Sequence, residues 1–365
     1  MTETTSLFDP VNTAPLSTPV EGPAAWYGED MRRSDDWVRT FSPAEIAELE
    51  AAAEGVLKND RAGERLLIEA GAGQFPLPRF GPLLRELRDE VLNGRGFVVL
   101  RGLPVARYSA EERAAIFWGI GAHLGRARSQ NGKGHLLGHV RSLGYDLNDP
   151  TVRVYQTTER QTYHTDSCDM VALLCLNTAK AGGLSSLVSS MTVYNEMLVQ
   201  RPDLAPRLFD PMAVDRREEV PEGRKPYFIL PVYHYFEGYL SAIYARRYIE
   251  SAQRFPEVPR LTEDQREALD LLDALANDER LHLNMELQPG DIQFVHNHTL
   301  FHDRTAYEDW EAPERKRHLL RLWLSPPDAR PLPPAYAERY GSVTVGDRGG
   351  IVTPGMRFTL PLEAE

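Results

Sequence analysis

Cysteine is scarce. The 365 residues hold two, Cys168 and Cys175, both in one apolar segment. That excludes a disulfide-stapled scaffold and points to buried thiols in a reducing compartment, so a cytoplasmic setting is expected. Long apolar runs are missing too, and no basic-plus-apolar segment stands early in the chain. Neither membrane spanning nor export is therefore expected. Positive charge is in deficit: 41 Lys and Arg stand against 53 Asp and Glu, a formal net charge of −12. A protein that grips phosphate backbones needs the opposite balance. Internal repeats and low-complexity blocks are absent as well. What remains is a globular chain, 42% apolar, with room for one large domain plus extensions. Its expected partner is a small molecule, not nucleic acid or a membrane. Monomer and homo-oligomer both stay open.

Histidine is also sparse, ten in all, so its placement is informative. In Tyr163-His164-Thr165-Asp166 an extended strand would put His164 and Asp166 on one face, because residues two apart project to the same side. A third ligand from a distant strand would complete two His and one carboxylate with open positions, the set used by non-haem Fe(II) oxygenases. An isolated H-x-D reads equally well as a polar strand end. The third position has three candidates, His296, His298 and His302, in a segment where the turn Pro289-Gly290-Asp291 opens a short apolar run. Asp169 is a rival carboxylate, but three residues from Asp166 it would face away along a strand. Downstream, Arg317, Leu319, Arg321 and Trp323 alternate with His318, Leu320, Leu322 and Leu324. As a strand, the second set packs the core while two guanidinium groups look into whatever the strand lines. Arg321 is either a grip on an acidic substrate group or half of a structural ion pair. Trp323 reads as core.

The order H-T-D, P-G-D-x-x-x-x-x-N, H-x-R-T and R-H-L-x-R resembles the taurine-dioxygenase-like (TauD/TfdA) Fe(II)/2-oxoglutarate oxygenases, over roughly residues 90 to 325. The resemblance implies iron held by His164, Asp166 and His302. It implies Arg317 paired with the distal carboxylate of 2-oxoglutarate, since a planar guanidinium takes a carboxylate bidentately. The family's usual Thr or Ser after a Gly-Gly pair falls on Ser185, with Ser186 beside it; Thr is commoner there, and the glycines alone could be a turn. Asn297 matches a frequent Asn and would support the ligands from behind. The implied reaction consumes O2 and 2-oxoglutarate, with ascorbate assisting, and releases succinate and CO2 while oxidising a C–H bond, usually by hydroxylation. With Asp166 retained, no ligand position is vacated for chloride, which argues against halogenation. Two other classes remain: a cupin-like metalloprotein without 2-oxoglutarate, which would release no succinate, and a non-catalytic ligand-binding barrel, which needs no open metal face.

The expected fold is mainly β with flanking helices around a double-stranded β-helix (jelly-roll) core, because many short strands alternate with outer helices. Residues 1–25 read as an irregular arm, and 26–365 as one oxygenase domain. Within it, 26–126 form an α/β support layer, 127–150 a candidate lid loop, 151–325 the core and 326–365 a C-terminal extension. Trp26-Tyr27 read as packing anchors. Ser42-Pro43-Ala44-Glu45, Ser109-Ala110-Glu111-Glu112 and Thr262-Glu263-Asp264-Gln265 are helix starts. Helices are expected over 45–57, 82–93, 109–124, 192–199 and 262–277. Strands are expected at 96–101, 152–156, 171–176, 227–229, 232–236, 239–244 and 281–287. His135 and His139 lack the Glu of a zinc-hydrolase helix and read as loop packing. Arg216, Arg217, Arg224 and Lys225 read as a mixed solvated face.

Overall fold

The computed structural model describes residues 14–58, 64–146 and 152–364. Two sheets organise it. The larger runs, in spatial order, Val38–Thr40, Phe97–Arg101, Ile292–His296, Met170–Asn177, His318–Ser325 and Arg126–Arg128, with Gly138–Val140 also pairing with His318–Ser325. The smaller runs His282–Met285, Ser185–Ser189, Leu300–Arg304 and Gln161–His164.

Side-chain alternation decides what each face meets. Val98, Leu100, Leu174, Phe294, Leu320 and Leu322 share one core with residues of the helices Pro43–Lys58, Phe80–Asn93 and Ala110–Leu124. Their neighbours Val99, Val171, Val295, Leu319 and Trp323 share a second core with Leu187, Leu283, Met285 and Leu300 of the smaller sheet. The two sheets therefore face each other, and the strand Met170–Asn177 is apolar on both sides, as its continuous apolar run predicts. Through Val188 and Phe301 the back of the smaller sheet packs on the helices Ser190–Gln200 and Glu263–Ala276. Helix starts fall where the caps predict. Ser109 and Glu112, and Thr262 and Gln265, form complete capping boxes that satisfy the first free N–H groups. Ser42 and Glu45 exchange the same two bonds.

Three expectations need correction. Residues 127–150 are not all loop: Arg126–Arg128 and Gly138–Val140 pair with the strand His318–Ser325. These strands are three residues long, too short to show a period. The expected strand at 152–156 is instead a 3-10 turn, Val154–Gln156. Arg216 is buried, not solvated, with its guanidinium over the Phe228 ring. Of the N-terminal arm, 1–13 lies outside the described residues. Residues 14–25 lack helix and strand, yet they are held: Tyr194 donates to the Leu16 carbonyl and Asn195 bonds both backbone groups of Val20.

One buried imidazole makes the fold acid-sensitive. His234 is fully buried, both ring nitrogens lack a partner, and burial, with His298 adding repulsion, pushes its pKa down to about 3. The folded chain holds it neutral, while the unfolded chain takes up a proton below the ordinary 6.5. Its contribution is thus complete above pH 6.5 and is lost as pH falls from there toward 3. His234→Leu should therefore lose less stability than wild type between pH 7 and pH 4 in chemical denaturation. Equal losses would show that this histidine does not set the slope.

Candidate metal centre

Cross-strand register brings the two histidines together. Leu300–Arg304 pairs with Gln161–His164 so that His302 lies directly opposite His164, and their rings stand 4.2 Å apart. The strand ends at His164, so Asp166 reaches the same point from the following bend and not from the strand itself. Asn297 fixes that bend: its side-chain oxygen accepts from the Asp166 N–H at 3.0 Å and its amide donates to Cys168 Sγ. Asp166 Oδ1 is 3.7 Å from His164 Nε2, and Oδ2 is 3.9 Å from His302 Nε2. The three residues form the one group of this kind among the described residues, with ligand atoms within 4.8 Å of one another.

The donor set fits a divalent metal. His164 Nδ1 lies 2.8 Å from the Thr162 carbonyl, which fixes the proton there and leaves Nε2 with a lone pair. Gln161 meets that lone pair at 2.8 Å, where a metal would replace it. Burial above all pushes the His302 pKa down to about 3, so its imidazole is neutral and has a lone pair to offer a metal. Burial pushes the Asp166 carboxyl up, but Arg321, His302, His164 and Trp323 outweigh it and hold it below the usual range. Trp323 Nε1 donates to Oδ2 at 2.7 Å and Arg321 Nη1 at 3.3 Å. Gln130 accepts from Arg321 Nε at 2.7 Å and ties it to the backbone. The rival residues lie elsewhere. Asp169 pairs with Arg348 and with His298 in a closed, fully buried network. His296 bonds Thr299, and His139 bonds His318.

A cleft beside the three ligands is lined by Ser185, Gln293, Arg304 and Arg317. Arg317 is 5% exposed. Its Nη1 has no partner and Nη2 makes only a 3.4 Å contact with the Gly183 carbonyl. Gly183 has φ +70, and a Cβ there would lie 3.0 Å from Arg317 Nε, so the Gly-Gly pair makes room for this side chain as well as a turn. Burial lowers the Arg317 pKa, against the pull of Tyr307, Cys175 and Asp309. Ser185 faces the same cleft and donates to Gln293 at 3.0 Å. Ser186 points to the other face, against Tyr163.

Sequence reasoning missed Trp323 and Gln130 as the residues that hold Asp166 and Arg321. Trp323 carried a signal, since it shares the inward face of its strand with Arg317 and Arg321. Gln130 carried none.

Two histidines on paired strands and a carboxylate from the bend that follows, beside a buried arginine, fit the two-His, one-carboxylate set of non-haem iron oxygenases. Residues 60–323 match the family described as Taurine catabolism dioxygenase TauD, TfdA family. The chain is 33% identical over 327 residues to FR-33289 synthase of Streptomyces rubellomurinus, covering 87% of this chain and 94% of that protein. It is 28% identical over 200 residues to a uridine-5'-phosphate dioxygenase of an Amycolatopsis species, covering 50% of this chain and 68% of that one. The structure of asparagine oxygenase with Fe(II), 3-hydroxyasparagine and succinate superposes with a TM-score of 0.59 at 17% identity, over 79% of this chain and 93% of that one. The chain belongs to the TauD/TfdA family and is an Fe(II)/2-oxoglutarate-dependent dioxygenase. No helix among the described residues is long and apolar enough to cross a membrane.

Proposed function

We propose that His164, Asp166 and His302 hold the iron, that Arg317 and Ser185 hold 2-oxoglutarate, and that the enzyme hydroxylates a small anionic molecule. When bound, iron and 2-oxoglutarate supply the oxidation: O2 is consumed, succinate and CO2 leave, and one oxygen atom enters a substrate C–H bond. The chain's own residues position and exclude. Trp323 and Arg321 fix Asp166 on one oxygen, Asn297 fixes the bend, and the Thr162 carbonyl sets the His164 tautomer. The two facing sheets are the halves of a jelly-roll core, whose inner faces carry the site; residues 326–364 form an extension over it. The two buried free thiols suit a reducing compartment such as the cytoplasm.

The observation that carries the cosubstrate reading is Arg317, a buried guanidinium with no ion-paired carboxylate among the described residues, in the cleft of the three ligands. A cupin-like protein without 2-oxoglutarate gives no reason for it. The test is succinate release by protein loaded anaerobically with Fe(II), then given 2-oxoglutarate, ascorbate and O2. Slow uncoupled release is expected from wild type and none from His164→Ala. Wild type that retains iron but forms no succinate would refute the reading.

A further inference from the structure

The metal residues look into a second space. A cavity of about 220 Å³ is lined by His164 and Asp166 and also by Arg216, Phe228 and Arg339. Arg339 Nε donates to Ser167 Oγ at 2.7 Å, one residue from Asp166. Its guanidinium stands 5.6 Å from the Phe228 ring centre, and that of Arg216 stands 5.1 Å from the same ring. Phe228 thus brings two cations together. The side chain of Arg216 is 1% exposed, and its nearest carboxylate, Glu338, is 3.9 Å away. Backbone carbonyls of Lys225 and Glu338 take Nε and Nη2, and Nη1 has no partner. Burial first, then repulsion from Arg339, pushes the Arg216 pKa down to about 10. Arg339 forms no ion pair among the described residues.

Exposed Arg247 aside, the other charged groups lining this cavity are matched. Arg153 faces Glu219, Arg160 faces Asp303, Arg321 faces Asp166, and Arg246 has Asp270 and Asp273. Asp215 is taken by Arg254. The excess charge therefore sits on Arg216 and Arg339. A buried cation with a second, half-buried cation on the same ring is costly unless an anion joins them. A monocarboxylate would leave one of them unmatched, whereas a phosphate monoester or phosphonate carries about two negative charges and several acceptor oxygens. The planar fork of arginine suits those oxygens.

We infer that Arg339 and Arg216 form the anion end of the substrate site, and that the substrate carries a phosphoryl dianion, as a phosphate monoester or a phosphonate. This rests on the proposed function in taking the metal end of the cavity as the place of oxidation. The test is calorimetric titration of the Fe(II)- and 2-oxoglutarate-loaded protein, kept anaerobic, with inorganic phosphate, methylphosphonate and acetate. Phosphate or methylphosphonate should bind once per chain and at least tenfold more tightly than acetate, the better of the two indicating which source the site prefers. Arg339→Gln should weaken that binding at least tenfold. Arg339→Lys, which keeps the charge and loses the fork, should fall between and serves if the first variant does not fold. Acetate binding as tightly as phosphate, or phosphate affinity unchanged in both variants, overturns the inference. Succinate release by wild type, measured separately, keeps the two readings apart. Release without Arg339-dependent phosphate binding sinks only this one, and phosphate binding without release sinks only the oxygenase assignment.

Discussion

Asp166→Ala is expected to lower both succinate formation, by more than about 100-fold, and the stability of the metal-free protein. The first effect follows from losing the one carboxylate of the three-residue group. The second follows from what that carboxylate does without a metal. Its Oδ2 accepts from Trp323 at 2.7 Å and pairs with Arg321 at 3.3 Å, and both partners are buried. Alanine would leave a buried guanidinium without its counter-charge and an indole N–H without an acceptor. Breaking one side of a buried pair costs about 3–5 kcal/mol. Asp166→Asn keeps an acceptor for Trp323 and removes only the charge, so its stability should fall between. Succinate formation and urea denaturation measure the two effects, and iron content checks the ligand role directly. If Asp166→Ala is inactive yet as stable as wild type, Arg321 and Trp323 are not held by this carboxylate. If it retains iron and full activity, the ligand assignment is wrong.

The same residues show what a sequence can and cannot disclose. His164 and Asp166 converge as the two-residue spacing suggests, although the strand ends at His164 and a bend completes the approach. The inward face Arg317, Leu319, Arg321 and Trp323 was legible because a long strand repeats its period: Leu319 and Trp323 meet the smaller sheet, and Leu320, Leu322 and Leu324 meet the helices. A strand of three residues repeats nothing, which is why 126–128 and 138–140 escaped notice. Arg216 and Arg339 were hidden for another reason. An arginine at the end of a strand or in a four-residue helix is ordinarily solvated. Only the fold shows that Phe228 and the carbonyls of Lys225 and Glu338 enclose Arg216. The choice between roles for Arg321 was likewise a question of distance: with Asp166 and Gln130 both in reach, its Nε and Nη1 are engaged within the protein.

Arg317→Leu should separate a cosubstrate arginine from a structural one by moving two quantities in opposite directions. A structural arginine is bonded, and removing it destabilises the fold. Arg317 is buried and, among the described residues, lacks an ion pair, leaves Nη1 unbonded and makes one long contact through Nη2. Beside it stands Arg304, whose pKa burial and the Arg317 charge push down to about 10. In the absence of 2-oxoglutarate burial sets this charge against folding, offset in part by the contact of its guanidinium with the Tyr307 ring at 5.3 Å and by the pull of Asp309. Arg317→Leu should therefore match or exceed wild type in thermal stability when no 2-oxoglutarate is present. With it present the order reverses. Hydrogen bonds between charged groups contribute about 1.5–3 kcal/mol each. Losing a two-bond grip then corresponds to a rise in the KM for 2-oxoglutarate of about 100-fold or more, at 1.4 kcal/mol per factor of ten. Wild type should gain stability on adding 2-oxoglutarate, and the variant should gain little. A variant that unfolds several degrees lower without 2-oxoglutarate, yet still binds it as wild type does, would make Arg317 structural and leave the cosubstrate without its anchor.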